Sequence, residues 1–591
     1  MKTGLYALAS LDGAPLSGND SALLGLSDPH DSRVIRMPGL AVRAAYSEPE
    51  RHAISNTVEN DTLLVFLGHL DEPLELATKV GCDSAQTPAS LALRAMRKWG
   101  AGANAHMAGE WSLLTWNAAS RELIIGVSDT LRDVMRFSTD GHRVAVAPDV
   151  RRLSALAWVG REFDPVGLPL WVARASLRKR FLADRTILRN ARAVQPGTCH
   201  TFSSGRHSKS DAQTASLPPR WEGSFEEAVT ALETTARRIM RETLARHGTV
   251  AVPLSGGLDS STLAWLAAEE RRPGQSLFCM TSVAPEGSNL ADERKFAEAV
   301  ARTLHLPIEF VTPHESPSVY QPLGRTFAQA DGPSQSPRHY LYDTLYDTAA
   351  AGGADAMLDG AWGELTLTRP VSLQSPLSEL RKVIREAKGT AREWLRGATW
   401  PDAGFHAKLS HDALQRLPLD IRAQHLSLEK DELLHPDEEL GFGPGFDKVG
   451  ILATSAPLAG LRHLTPYRDQ RLALLAAGMP AHFACHDRLS RALARAMLKN
   501  RLPDEIRLRT HPRPFSPDYS LRLQRQAHYV KARMAVYRRS DARDWINLPW
   551  LEGQTEKLSR GGALPITGQF NIQMTAMMAE FFVWWETQEL D

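Results

Sequence analysis

The sequence predicts an α/β protein in two parts, a β-rich sandwich followed by a doubly wound parallel sheet with helical additions. Three observations carry this. Short apolar, strand-like runs dominate the amino-terminal third; beyond a polar, proline-containing stretch, β-runs alternate with helix-length amphipathic segments; and the first of those later β-runs leads straight into a Gly- and Ser-rich loop that opens a helix. The chain has 591 residues, 43% of them hydrophobic, so it can bury more than one core, and 69 Lys+Arg against 68 Asp+Glu leave almost no net charge. That balance removes the electrostatic case for a general nucleic-acid or membrane-surface binder. Four cysteines, Cys82, Cys199, Cys279 and Cys485, lie far apart without a CxxC pair, which excludes a disulfide scaffold and a ribbon-type zinc site and points to a reducing compartment. The amino terminus lacks an apolar signal core, and no uncharged run reaches the roughly 18 residues of a membrane span, so a cytoplasmic protein is expected.

In chain order, strands are expected at Thr62–Gly68, Trp111–Asn117, Glu122–Val127 and Arg143–Ala147, with a helix over Ala89–Trp99 between the first two. After the turn formers Val194–Gly197, residues 202–221 are rich in Ser, Pro and polar side chains and lack apolar periodicity. The expected division is a first domain over 1–205, a linker over 206–221 and a second domain over 222–591. Phe225–Arg246 places Ala228, Leu232, Ala236, Ile239, Met240 and Leu244 at helical spacing, and Thr249–Leu254 is a buried-strand candidate. A helix over Ser260–Glu270, a strand over Ser276–Val283, a helix over Ala291–Leu304 and a strand over Ile308–Val311 complete the alternation. From about Leu377 the chain is Arg- and Leu-rich and mostly helical, interrupted by GFGPG at 441–445. It closes on Met574, Met577, Met578, Phe581, Phe582, Trp584 and Trp585, which should pack a terminal helix.

Chemistry concentrates in Leu254-Ser255-Gly256-Gly257-Leu258-Asp259-Ser260-Ser261. A strand runs into this loop and a helix runs out of it, the place where open α/β sheets bind ligands. Two glycines admit close backbone approach, three hydroxyls and the helix-start N–H groups donate hydrogen bonds, and the helix dipole favours an anion. Asp259 would repel a phosphate unless a divalent cation lay between them, so its presence implies Mg²⁺ bridging carboxylate and phosphates. The Lys of GxxxxGK[ST] is absent. Other features have bland readings. His482–His486 suits a helical connection better than a metal site, and Arg488, Arg491, Arg495 and Lys499 suit a solvated helix face better than a peptide- or phosphate-steering patch. Asp292 and Glu293 fit helix-start dipole partners and site residues equally.

The SGGLDSS loop resembles the pyrophosphate loop of the N-type ATP pyrophosphatases, which split ATP into AMP and pyrophosphate while adenylating a substrate. Ala291-Asp292-Glu293, Asp359-Gly360-Ala361-Trp362-Gly363-Glu364, Thr465-Pro466-Tyr467-Arg468-Asp469 and Leu502–Arg509, in that order, look like the synthetase domain of the asparagine synthetase family. Gly68–Asp71, Gly109–Trp111, Val127–Asp129 and Val194–Gly197 are similar to that family's Ntn-type glutaminase domain, so the resemblance spans nearly the whole chain. It implies ATP and Mg²⁺ as cofactors, Asp259 and Glu364 as metal ligands, and Leu254–Ser261 with Gly360 as the nucleotide cradle. It also implies a family Lys that stabilises the acyl-adenylate transition state; His511 aligns approximately with it and Arg513 is the competing match.

Departures from the family narrow the expectation. Glutaminases of this type carry a cysteine directly after the initiator methionine, whose thiolate attacks the amide; here that residue is Lys2. Ala361 stands where asparagine and β-lactam synthetases place a Glu or Tyr linked to amine deprotonation. The amine should therefore come from the substrate itself. The resemblance is nearest to the lasso peptide macrolactam synthetases, which implies adenylation of an Asp or Glu side chain in a leader-free core peptide, closure onto the peptide's own amino terminus, and a leader peptidase as partner. A β-lactam synthetase-like cyclase, an ammonia-using amidotransferase and a non-catalytic scaffold remain as alternatives.

Overall fold

The computed structural model describes residues 3–28, 31, 33–46, 53–82, 86–128, 135–172, 184–210, 219–330, 332–333, 336–369, 409–416, 456, 459–486, 489–510, 515–562 and 564–588. The first domain stacks two antiparallel six-stranded sheets. In spatial order the first contains Arg192–Ala193, Arg136–Thr139, Arg143–Ala147, Gly4–Ser10, Leu40–Ala45 and Val34–Met37. The second contains Arg206–Lys209, Cys199–Ser203, Glu122–Val127, Gly109–Asn117, Thr62–Leu70 and Ile54–Glu59. Strand alternation assigns the faces. Leu5, Ala7 and Ala9 meet Leu63, Val65 and Leu67 between the sheets, while Leu64 and Phe66 turn outward to the helices Pro73–Val80 and Pro88–Trp99. Tyr6 and Leu8 turn the other way, into a core that continues into the second domain.

The expected linker begins too early. Arg206–Lys209 forms an edge strand paired with Cys199–Ser203, and Gly205, at φ 66°, supplies the left-handed residue of the hairpin. All four residues of that edge strand are exposed, so periodicity of burial, the signal used to find strands, is absent there.

The second domain is built on a parallel sheet ordered Ile308–Val311, Ser276–Ser282, Thr249–Pro253, Ala356–Leu358, Arg462–Leu464. The chain starts in the middle, steps outward twice, then crosses to the other side, so the order reverses between Thr249–Pro253 and Ala356–Leu358. This is the switch point of a doubly wound sheet. Ahead of it, Ser224 and Glu227 close a reciprocal capping box that starts the helix Phe225–Leu244, whose apolar stripe covers one sheet face with Leu263 and Leu266 of the helix Leu258–Glu270. The other face, with Ala251, Met280 and Met357, joins the core that holds Tyr6 and Leu8. The terminal helix Ile566–Thr587 buries Met574, Met577, Met578, Phe581, Phe582 and Trp585, with Trp584 packed against the same core. Across the domain boundary, Arg238 reaches Glu72 at 2.7 Å beside Arg471, which pairs with Glu242 at 2.8 Å. No helix among the described residues is long and apolar enough to cross a membrane. The glycine loop at 441–445 lies outside the described residues.

Candidate active site

The loop sits at the carboxyl end of Thr249–Pro253, on the ligand side of the switch point. Leu254, fully buried, extends the ladder through its N–H to the Met280 carbonyl at 2.7 Å. Gly256 then turns at φ 66°, and a Cβ there would lie 2.5 Å from the Phe296 Cβ, so no other residue fits the backbone path. The hydroxyls of Ser255 and Ser260 are 3.0 Å apart, and Ser260 Oγ accepts from the Ser255 N–H at 3.1 Å, which folds the loop over the helix start. That helix begins at Leu258, two residues before the expected Ser260, and so takes Asp259 into its first turn. Ser261 is buried with its Oγ unpartnered among the described residues.

Asp259 is where the distant segments meet. Thr368 donates to its Oδ1, and Arg491 Nη1 lies 2.9 Å from its Oδ2. The Tyr467 hydroxyl, buried in the TPYRD segment, donates to the Asp259 carbonyl at 3.0 Å. From the other strand of the switch point come Gly360, whose Cβ would lie 3.4 Å from the Asp259 carbonyl carbon, and Gly363, whose Cβ would lie 2.1 Å from Asp259 Oδ1. The absent side chain of Gly363 is thus what lets the carboxylate approach the Gly363–Leu365 turn that carries Glu364. Burial pushes the Asp259 carboxyl above the usual carboxylate range against the pull of Thr368 and Arg491, and the Glu364 charge adds to the rise. Next to Ala361, the Asp359 carboxylate accepts from the Ala361 N–H at 2.8 Å and from the Tyr342 hydroxyl at 3.4 Å, with His463 Nε2 at 3.5 Å.

The donor set fits a nucleotide-bound Mg²⁺. The Glu364 charge that adds to the Asp259 rise would be offset by a cation between the two side chains, and Mg²⁺ commonly takes one or two carboxylates, with phosphates and waters completing its octahedron. Among the described residues no group of three or more His, Cys, Asp or Glu comes together as a metal cage.

Two expectations from the sequence change. Glu293, left between a dipole partner and a site residue, is 2% exposed and bidentate to Arg509, with Nη2 donating to Oε1 at 2.6 Å. Arg509 lies 3.8 Å over the Phe296 ring centroid and 3.5 Å from the Gly256 carbonyl, so this pair braces the loop from beneath. Asp292 instead accepts from the N–H groups of Ala284 and Arg294, and the helix starts at Arg294 rather than Ala291. The solvated face does not form at Arg491 and Arg495, and Arg488 lies outside the described residues. Arg491 adopts φ 63°, ψ 36° and caps a helix confined to Ala492–Met497, so helical spacing does not hold across it. Arg495, 6% exposed, donates to the carbonyls of Ser490, Arg507 and Arg509. A left-handed arginine costs about 1–2 kcal/mol, an expense that surrounding structure must impose. Of His482–His486, only the first three residues lie in a helical connection, the 3₁₀ turn Ala481–Ala484, and Cys485–His486 instead form a short strand paired with Leu489–Ser490. His511 and Arg513 lie outside the described residues.

The asparagine synthase family model matches residues 231–364, a stretch holding both the Ser255–Ser261 loop and the Asp359–Glu364 turn. No curated protein matches the chain. Among solved structures it is similar to the glutamine phosphoribosylpyrophosphate amidotransferase from B. subtilis complexed with ADP and GMP, at 10% identity and TM-score 0.22, over 52% of this chain and 59% of that one. An allosteric regulatory enzyme of purine biosynthesis is similar at 9% identity and TM-score 0.24, over 52% and 59%. The U34-tRNA thiolase NcsA from Methanococcus maripaludis, with its 4Fe-4S cluster, is similar at 13% identity and TM-score 0.22, over 57% and 79%. The chain thus spans 59% of the length of the first two. The loop and the turn, both inside the stretch matched by the asparagine synthase model, are thus set together at one switch point of the second domain's sheet.

Proposed function

We propose that this chain is an ATP-dependent, AMP-forming amide ligase that closes a macrolactam. It adenylates an Asp or Glu side chain of a leader-free lasso core peptide and joins it to the peptide's amino-terminal amine. The observation that supports the ATP step is the convergence, within an asparagine synthase match and at a sheet switch point, of a glycine-serine loop and a second carboxylate on Asp259. MgATP, when bound, supplies the adenylyl group that turns a carboxylate into an acylating agent. Asp259 and Glu364 would hold Mg²⁺, and Leu254–Ser261 with Gly360 would seat the phosphates against the helix start. His511 or Arg513 would place positive charge where negative charge develops during amine attack. An amine on the same molecule as the activated carboxylate gains from proximity.

The state of the first domain's cysteines supports a substrate-borne amine. Cys199 is buried and its thiol is pushed up to about 11, so it is not a thiolate near neutrality. Cys82 packs with the outer helices, away from Gly4–Ser10. The first domain then serves as a docking body, for a leader peptidase in the lasso reading.

The test is a core peptide incubated with MgATP and amide-labelled glutamine, with leader protease added where closure requires it. The expected product has lost one water, fragments as a link between the amino terminus and an acidic side chain, and carries no label. Labelled amide in any product overturns the substrate-borne amine. Adenylation of free aspartate with ammonia incorporation, and no dehydrated peptide, selects an amidotransferase. Absence of substrate-dependent ATP–pyrophosphate exchange with every acceptor selects a scaffold.

A further inference from the structure

We infer that Arg491 is a resident counter-ion of Asp259 that is exchanged for a divalent cation, and that the released guanidinium then binds the nucleotide's phosphates. This rests on the nucleotide-binding reading above and assigns it a residue that neither the loop motif nor the matched stretch contains.

Asp259 has two carboxylate oxygens, and both are engaged. Thr368 donates to Oδ1, and Arg491 Nη1 stands 2.9 Å from Oδ2. A neutral hydroxyl can share an oxygen with a cation by using its other lone pair. A guanidinium cannot remain in contact with that carboxylate without facing the incoming cation at short range, so the two positive charges compete for Oδ2. The pair is also placed to open. The side chains of Arg491 and Asp259 are 31% and 28% exposed, against 10% and 2% for the neighbouring Arg509–Glu293 pair, so one ion pair lies at the mouth of the site and the other beneath it.

The backbone is organised to present this side chain. Arg491 is left-handed and begins the helix Ala492–Met497. The residue before it is fixed by Arg495, which donates to the Ser490 carbonyl at 2.7 Å and to the Arg509 carbonyl at 2.9 Å, and Arg509 in turn contacts Gly256. The base of Arg491 is therefore tied to the same loop that would seat the phosphates, while its guanidinium is held in the described residues by Asp259 and is partly exposed. Among the described residues, Arg509 and Arg495 near the loop are committed, Arg509 to Glu293 and Arg495 to three carbonyls. The loop lacks the lysine that phosphate loops of the GxxxxGK[ST] type use, and a guanidinium offers the fork geometry that suits phosphate oxygens.

The experiment uses the full chain and its Arg491→Ala and Arg491→Lys variants, with two probes. Mn²⁺ alone is titrated by electron paramagnetic resonance, and α,β-methylene-ATP with Mn²⁺ by calorimetry. Removing a competing cation should tighten Mn²⁺ alone in Arg491→Ala, by about tenfold, whereas losing a charge-assisted phosphate contact should weaken the Mn²⁺–nucleotide complex by about tenfold or more. Arg491→Lys should fall between wild type and Arg491→Ala on both. The opposite signs are the signature. Parallel weakening of both would make Arg491 a loop support, and no change in either would make it a surface ion pair; each overturns the exchange. Tighter Mn²⁺ in Arg491→Ala with no nucleotide binding by wild type would overturn the nucleotide reading and the phosphate role while keeping the cation competition. A wild-type chain that binds neither probe overturns both.

Discussion

Asp259→Asn should lower substrate-dependent ATP–pyrophosphate exchange by about 10²–10³-fold, the scale on which one preorganised electrostatic group acts, while circular dichroism and the melting midpoint stay close to wild type. The amide preserves the shape that Gly363 makes room for and still accepts from Thr368, but it carries no charge to hold Mg²⁺. Stability is not expected to fall. The folded state raises the Asp259 pKa, so it holds the proton more tightly than the unfolded chain does; the ionised group then lowers stability as pH rises between the unfolded and the folded pKa, and the amide removes that loss. For the wild type the same shift predicts a pH profile. Exchange should decline on acidification at a higher pH than an ordinary aspartate would dictate, and raising Mg²⁺ should move the midpoint down, because the cation competes with the proton. Glu364→Ala should resemble Asp259→Asn, and Glu364→Asp should retain more activity. Near-normal exchange by Asp259→Asn would remove the metal bridge from the reading.

Glu293→Ala should destabilise the second domain by about 3–5 kcal/mol in chemical denaturation and abolish exchange with it, because it strands a guanidinium that is only 10% exposed. The loss reaches the loop through two contacts, Arg509 on the Gly256 carbonyl and Arg509 over Phe296, against which Gly256 is packed. The double variant Glu293→Leu with Arg509→Met should recover much of the stability, since apolar residues of similar size can replace a buried ion pair. It should recover little activity, because Gly256 has still lost its brace. A single variant with unchanged denaturation midpoint would show that the pair is not the loop's support.

Local pattern made much of this fold legible. Strands with one or both faces buried, such as Glu122–Val127 and Arg143–Ala147, have the bounds that their apolar runs and flanking turn residues predict. The exposed edge strand Arg206–Lys209 carries no such mark, so its sequence resembles a linker. The arginines at 491 and 495 depart from their apparent pattern for a related reason. Their spacing has meaning only if the helix is continuous, and a left-handed Arg491 interrupts it. Nothing local distinguishes an arginine that will cap a helix in that conformation from one that will lie along it.

The sequence by itself determined that a strand, a glycine-serine loop with an acid and a helix follow one another at Thr249–Glu270, and that alternating β and α segments would place this loop at the carboxyl end of a sheet strand, because short-range steric and hydrophobic preferences act between neighbours in the chain. Only the tertiary structure decided what surrounds Asp259. Thr368, Tyr467 and Arg491 are more than a hundred residues away, as is the Gly363 gap, and Glu293 reaches Arg509 across a similar distance. Those partners are chosen by the crossing of the chain at the switch point and by the need of each buried charge for a counter-charge within hydrogen-bond reach, a condition set by three-dimensional proximity rather than by spacing along the chain.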